Sequence, residues 1–455
     1  MSEFKPFRFG KESVHNISGI RFKTVVEDYL FYDEQGAPEA SIYSYSYMAQ
    51  PEKNDKPVMF CYNGGPGASS SWVHMGLLGP KQVIFPNHPS ADNTIVYGEN
   101  GNFLLDCCDL VMINPPGTHY TLIRDDAEEK YFNTVGDAEA VGQFIQDWLK
   151  GHGRENSPVY LLGESYGTIR NLAVADVLLE KVNLAGIVSI GTSFNVGSPT
   201  TMLVERNVRR LGANAACCWY HLHQIEKPQR QFVQEAMDFA YGEYAHALLM
   251  GSRLPAEEFE QTLDKLHYYT GLDKDILRKG GLRFDEMTYL TKMMPGKLVS
   301  AYDSRMTRPL ASEMTEEEWN EAISSEPFFA FADGAISDAL ERYTREDIAE
   351  PEERPVDDNM LRIAMNWSYD KLEKDTLTLP VELMERSAKL RFFFVAGYYD
   401  LQSTFDFVTY YLGCYDLPKD RVTFTTYDTG HAAYVGGDAA SQVCEDIRSF
   451  ISANR

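Results

Sequence analysis

The stretch Val159-Tyr160-Leu161-Leu162-Gly163-Glu164-Ser165-Tyr166-Gly167-Thr168 constrains this chain more than any other. A short apolar run leads into Gly-x-Ser-x-Gly, and a helical pattern follows from Ile169 to Val182. A strand that turns at once into a helix leaves room only for small residues on either side of the turn. Such a turn lifts Ser165 Oγ above the end of a sheet and aims a helix N-terminus beneath it. Gly-x-Ser-x-Gly alone recurs by chance, so the flanking strand and helix are what make Ser165 a candidate nucleophile. A serine in that position needs a base, an acid to orient the base, and donors for an oxyanion.

The donors are sought upstream. Residues 16–50 predict β-structure at a sheet edge, and Ser41-Ile42-Tyr43-Ser44-Tyr45-Ser46-Tyr47 alternates as a half-buried strand does. Val58-Met59-Phe60-Cys61-Tyr62 is a continuous apolar run of the length of a buried strand, and it ends in Asn63-Gly64-Gly65-Pro66-Gly67-Ala68-Ser69-Ser70. A glycine-rich loop there is either a plain tight turn or an oxyanion hole. In the second case backbone N–H groups approach a reacting carbonyl closely, one from this loop and one from the residue after the nucleophile. Those residues are Gly65 and Tyr166.

Leu110 to Ile113 is another buried strand, ending at Asn114. Val141, Phe144, Ile145, Trp148 and Leu149 then fall on one stripe of a helix. Gly186 to Ile190 is one more buried strand. Strands alternating with helices predict an α/β fold, a mostly parallel central sheet flanked by helices. The rhythm breaks near Val196. The expected organisation is a core in two parts, residues 1–196 and 376–455, with a large helical cap inserted at 197–375. His221 and His223 lie in the insertion at i and i+2, a spacing that points apart on a helix and argues against a metal site.

The alternation returns at the end of the chain. Leu390 to Val395 is a strand that runs out at Asp400, and Val422 to Tyr427 is a strand that runs out at His431. The last helix turns Val443, Ile447, Phe450 and Ile451 inward, with Asp438 as its expected N-cap. Ser165, Asp400 and His431 thus each follow the C-terminal end of a strand, where open α/β sheets place their sites. The order Ser, Asp, His is the one the α/β-hydrolases use. Asp428 is the rival acid, but it stands three residues before His431, too near to reach around the ring.

Composition narrows the partners. The 455-residue chain carries a formal charge of −25, which nucleic acid and anionic membrane surfaces would repel. Acidity is densest in Thr315-Glu316-Glu317-Glu318 and Glu350-Pro351-Glu352-Glu353, both expected to face solvent. No apolar run is long enough for a membrane span, and the N-terminus shows no signal-peptide core. Seven cysteines without a Cys-x-x-Cys pair suggest buried reduced thiols, so the expected location is cytoplasmic. Neither a metal nor another cofactor is called for, and a homodimer is left open.

Three blocks together resemble the signatures of the serine carboxypeptidases: Asn63-Gly64-Gly65-Pro66-Gly67, Gly163-Glu164-Ser165-Tyr166-Gly167 and Thr429-Gly430-His431. Gly163 to Thr168 and Gly397-Tyr398-Tyr399-Asp400-Leu401 are most similar to the bacterial branch. The resemblance covers about residues 38–195 and 385–455. It implies an α/β-hydrolase fold with a helical cap, and release of C-terminal amino acids from peptides, usually best at acidic pH. It also implies that Asn63 and Glu164 bind the substrate's terminal carboxylate, two carboxyl groups sharing one proton. The chain departs from the family at Ala68, where a cysteine is common, and over Asn114 to Thr121 and Gln402 to Thr404.

The chemistry expected of the set is acyl transfer to water. His431 would take the proton of Ser165 and pass it to the leaving group, while Asp400 orients the imidazole. Gly65 and Tyr166 would bind the oxyanion, each donor contributing about 3 kcal/mol in comparable sites. An esterase or acyltransferase with the same residues is one alternative, and a non-catalytic binding protein is another.

Overall fold

The computed structural model describes residues 7–86, 95–194, 203–224, 227–310, 325–348, 360–369, 372 and 374–453. The two acidic runs lie outside the described residues. Thirteen strands are present among the described ones: β1 (Arg8–Val14), β2 (Arg21–Tyr32), β3 (Pro38–Ala49), β4 (Val58–Tyr62), β5 (Lys81–Ile84), β6 (Val96–Glu99), β7 (Asp109–Asn114), β8 (Val159–Glu164), β9 (Leu184–Ile190), β10 (Lys297–Val299), β11 (Thr307–Pro309), β12 (Arg391–Gly397) and β13 (Val422–Tyr427). Nine form one sheet in the order β1-β2-β3-β7-β4-β8-β9-β12-β13. The first three join it antiparallel, and β7 through β13 pair in parallel. This is the α/β-hydrolase fold.

The inner parallel strands are largely apolar because both faces are covered, whereas the edge strand β13 carries three threonines and is only partly buried. Their side chains alternate between two cores. Met59, Cys61, Leu110, Met112, Tyr160, Leu162, Val188 and Ile190 enter one. Val58, Phe60, Tyr62, Val111, Ile113, Leu161 and Ile187 enter the other. Helix α1 (Thr134–Gly151) lays its stripe of Val141, Phe144, Ile145, Trp148 and Leu149 on the second core. Asn133 caps it, accepting from Gly136 N at 2.9 Å. Helix α2 (Tyr166–Leu178) follows β8 and is buried on nearly every side.

Two expectations need correction. Strand β3 is neither at the sheet edge nor half-buried: β1 and β2 lie outside it, and Glu39 to Met48 are all buried. Its alternation is of small against large side chains on two dry faces. The small polar face is satisfied internally, since Ser46 Oγ accepts from Trp148 Nε1 at 2.9 Å and Ser41 Oγ from Leu122 N at 2.8 Å. Asp438 does stand at the start of the last helix, but its side chain makes no capping hydrogen bond.

Between β9 and β12 the described chain is helical apart from the β10–β11 hairpin. Helices α3 (Leu211–Cys218), α4 (Gln229–Phe239) and α5 (Ala256–Thr270) build a core that rests on Tyr399, Leu401 and Phe405, just past β12. Helix α6 (Pro327–Arg342) instead packs Phe328, Ala332 and Ile336 into the first core of the sheet. Helix α7 (Met360–Asn366) sets Ile363 against Gly67 and Gly117, in the loops after β4 and β7. Helices α8 (Phe405–Cys414) and α9 (Ala439–Ser452) complete the layers, α9 burying Val443, Ile447, Phe450 and Ile451. His221 and His223 part company: His221 Nε2 lies 2.7 Å from Ser304 O, while His223 stacks on Phe232.

Candidate active site

Parallel pairing brings the C-terminal ends of β4, β8, β12 and β13 to one side of the sheet, and with them Asn63, Gly65, Glu164, Ser165, Tyr166, Asp400 and His431. Ser165 sits between β8 and α2 with φ 58° and ψ −125°, a left-handed conformation costly for a residue with a side chain. The turn is locked by its own backbone: Ser165 N donates to Ile190 O on β9, and Ser165 O accepts from Thr168 N, both at 2.9 Å. It is tight enough that a Cβ on Gly163 would stand 2.1 Å from Gly167 O. Ser165 itself is half-buried between fully buried neighbours.

His431 Nδ1 lies 2.8 Å from Asp400 Oδ2. Asp400 is wholly buried, and its other oxygen accepts from Gln402 N at 2.8 Å and Ser403 N at 2.9 Å. A carboxylate on Nδ1 assigns the proton to that nitrogen and leaves Nε2 as the acceptor. Nε2 is buried and takes no hydrogen-bond partner among the described residues. Burial opposes a charge on His431, but the charge and hydrogen bond of Asp400, with Glu164 and Glu326 behind them, raise its pKa above the ordinary value. The imidazole is held between Gly191, in the loop after β9, and the edge of the Tyr302 ring, 5.1 Å away. Asp428 is not a competitor: its side chain is 62% exposed and faces Arg230.

The loop after β4 lies directly on the serine turn. A Cβ on Gly64 would stand 2.4 Å from Tyr166 N and 2.7 Å from Glu164 O, so only glycine fits. This contact puts Gly65, at φ 97°, next to the start of α2. Tyr166 opens that helix, so its N–H has no intrahelical acceptor and is free to serve an oxyanion.

Asn63 and Glu164 are buried together beside the serine. Asn63 Oδ1 accepts from Val73 N at 3.0 Å, and its side chain also hydrogen-bonds Glu164. Tyr434 donates to Glu164 Oε2 at 2.6 Å. Burial pushes the Glu164 carboxyl up to about 7, against the hydrogen bond from Tyr434, the nearby His431 and the hydrogen bond from Asn63, all of which pull it down.

Sequence reasoning missed three features. Tyr434 lies only three residues beyond His431, and that proximity was the available signal. Arg170 and Asp137 form a buried ion pair beneath the turn, Nε to Oδ2 at 2.7 Å. Arg170 also donates to Asn63 O at 2.6 Å, tying the glycine loop to α2; a charged residue within an apolar helical run was its only mark. Ile363 on α7 is buried against Gly67 and Gly117, and Trp367 meets Tyr166 edge-on at 5.2 Å. No pattern in the sequence pointed to that strap. Among the described residues no three His, Cys, Asp or Glu side chains gather as a metal site, and no helix is long and apolar enough to cross a membrane.

Fold and site geometry define the class as α/β-hydrolase. Residues 21–246, close to half of the chain, match the family described as serine carboxypeptidase. Serine carboxypeptidase-like 26 of Oryza sativa subsp. japonica is 24% identical over 184 residues, 38% of this chain and 36% of that protein. Serine carboxypeptidase ctsa-3.1 of Caenorhabditis elegans is 24% identical over 180 residues, 38% of this chain and 30% of that protein. The chain thus matches about a third of the length of each relative. Among solved structures, the peroxisomal α/β-hydrolase Lpx1 of Saccharomyces cerevisiae aligns over 99% of this chain and 88% of its own, with 11% identity and a TM-score of 0.40. A thermostable carboxyl esterase from Bacillus coagulans aligns over 94% and 98%, with 12% identity and a TM-score of 0.39.

Proposed function

We propose that this protein is a serine-type carboxypeptidase that releases C-terminal amino acids from peptides through an acyl-enzyme on Ser165. The observation that carries the reading is the buried carboxyl of Glu164 beside the serine. Tyr434 and Asn63 give it neutral donors, and among the described residues no lysine or arginine forms an ion pair with it. A carboxyl in that setting keeps its proton to about pH 7 and can donate it to the carboxylate of a peptide terminus. An ester or amide terminus offers nothing to that proton's charge-assisted bond.

The proposed reaction runs through these residues. Ser165 Oγ attacks the last peptide carbonyl while His431 Nε2 takes its proton. Asp400 keeps the imidazole in the required tautomer and stabilises the imidazolium. The N–H groups of Gly65 and Tyr166 receive the oxyanion. His431 then protonates the leaving amino acid, and a water activated in the same way hydrolyses the acyl-enzyme.

Substrate binding and base catalysis make opposite demands on pH. Neutral His431 is required, so activity falls as pH drops through its raised pKa; protonated Glu164 is required, so activity on free acids falls as pH rises past about 7. Each group carries a coulombic influence on the other, so the two limbs are coupled. The test is amino-acid release from N-blocked dipeptides and their C-terminal amides and esters, for wild type and Ser165→Ala. Release from free acids, weak on amides and abolished in the variant, is expected. Cleavage of esters alone would favour an esterase or acyltransferase, and activity surviving Ser165→Ala would overturn the mechanism.

A further inference from the structure

Tyr434 is fully buried where three loops meet. Its ring lies on Gly76, in the single π-helical turn His74–Leu78 that continues the glycine loop; a Cβ there would stand 2.6 Å from the ring. That missing side chain is the space the ring occupies. From this seat the hydroxyl reaches Glu164 Oε2 at 2.6 Å and also hydrogen-bonds the Asn63 side chain. One phenol thus joins the loop that carries His431, the loop after β4 and the turn that carries Ser165.

We propose that Tyr434 is a positioning residue of the carboxylate pocket: it fixes Glu164 by one oxygen, so that the other faces the substrate terminus, and it sets the pH range over which free acids bind. The proposal rests on the carboxypeptidase reading and adds a residue to it. The groups facing Glu164 are Tyr434, Asn63, His431 and, farther off, Asp400. Of these, Tyr434 and His431 favour the ionised form of Glu164, Asn63 does so by its amide, and Asp400 disfavours it. Removing the tyrosine hydroxyl removes a donor to the carboxylate, which raises the pKa of Glu164. The proton that a free-acid substrate needs is then kept to higher pH.

Tyr434→Phe tests this because it keeps the ring on Gly76 and deletes only the hydroxyl. The alkaline limb of kcat/KM for N-blocked dipeptide free acids should move up by about one pH unit, the size expected for one lost hydrogen bond to a charged group. Below that limb, KM for free acids should rise about 3- to 10-fold, with kcat changed less than about 2-fold, because a mobile carboxyl binds less well. The profile for the matching amides should stay where it is. Equal losses on acids and amides with an unmoved limb would mean Tyr434 is only structural and would overturn the proposal.

A second measurement does not depend on turnover: carboxyl ¹³C NMR of glutamate-labelled protein, with the Glu164 signal assigned through Glu164→Gln. Its midpoint should rise in Tyr434→Phe, and an unmoved midpoint overturns the proposal whatever the substrate. If wild type fails to prefer acids over amides, the carboxypeptidase reading falls by itself. In that case a rising midpoint still upholds the control of Glu164 by Tyr434.

Discussion

Asp400 grips His431 with one oxygen and is gripped through the other by Gln402 N and Ser403 N. Asparagine in its place can keep the two backbone donors on its carbonyl oxygen. It must then present an NH₂ group to His431 Nδ1, which forces the proton onto Nε2 and removes the base. Asp400→Asn is expected to lower kcat on the order of 10³- to 10⁴-fold with KM nearly unchanged, since Asp400 does not touch substrate. Steady-state kinetics at neutral pH check this; a drop below about 10-fold would mean that another group orients His431. At this scale the sequence was legible where chemistry sits at a strand end. Ser165, Asp400 and His431 each stand just past an apolar run, so short-range pattern placed them. Tyr434 and the Arg170–Asp137 pair were not, because their partners lie 33 or more residues away and no local period links them.

The serine turn and the glycine loop work as one unit, because the loop backbone fills the space in which a Gly64 side chain would collide with Tyr166 N and Glu164 O. Gly64→Ala therefore pushes two backbones apart at the point where the proposed oxyanion donors meet. A fall in kcat of more than about 100-fold is expected, comparable to losing one oxyanion donor, with the serine still present. Labelling by a serine-directed phosphonate, alongside turnover and a thermal melt, would show whether the loss is catalytic or comes from unfolding; full turnover in the variant would mean the loop does not supply a donor. Strand β3 shows where element-level reading stopped. Alternation in Ser41 to Tyr47 correctly indicated a strand, but the same alternation serves a strand with one wet face or one with two dry faces of different depth. Hydrogen bonds from Trp148 and Leu122 to its serines decide for the second.

Across the whole molecule, all seven cysteines are free, and six are buried; Cys414 is the exposed one. The paired neighbours Cys107 and Cys108 are buried as well, and burial pushes the Cys61, Cys217 and Cys444 thiols up, which slows their reaction further. A thiol-reactive chromophore should therefore titrate one group in the native protein and all seven after denaturation. Two or more fast native thiols would contradict this packing. Reducing agent should leave the melting temperature unchanged, because no disulfide holds the two parts of the core together.

The amino-acid sequence by itself determined the alternation of buried strands and helices, the turn that exposes Ser165, and the strand ends that carry Asp400 and His431. These follow from interactions within a few residues: periodicity of apolar side chains, steric limits at a tight turn, and glycine where backbones must touch. Only the tertiary structure decided how β3 is covered and what surrounds Glu164. Those depend on parallel pairing across the sheet, which brings residues from the ends of β4, β8, β12 and β13 into hydrogen-bond contact although their order along the chain does not bring them near. The acidity of Glu164 belongs to that second kind, since burial among neutral donors from distant segments is what raises it.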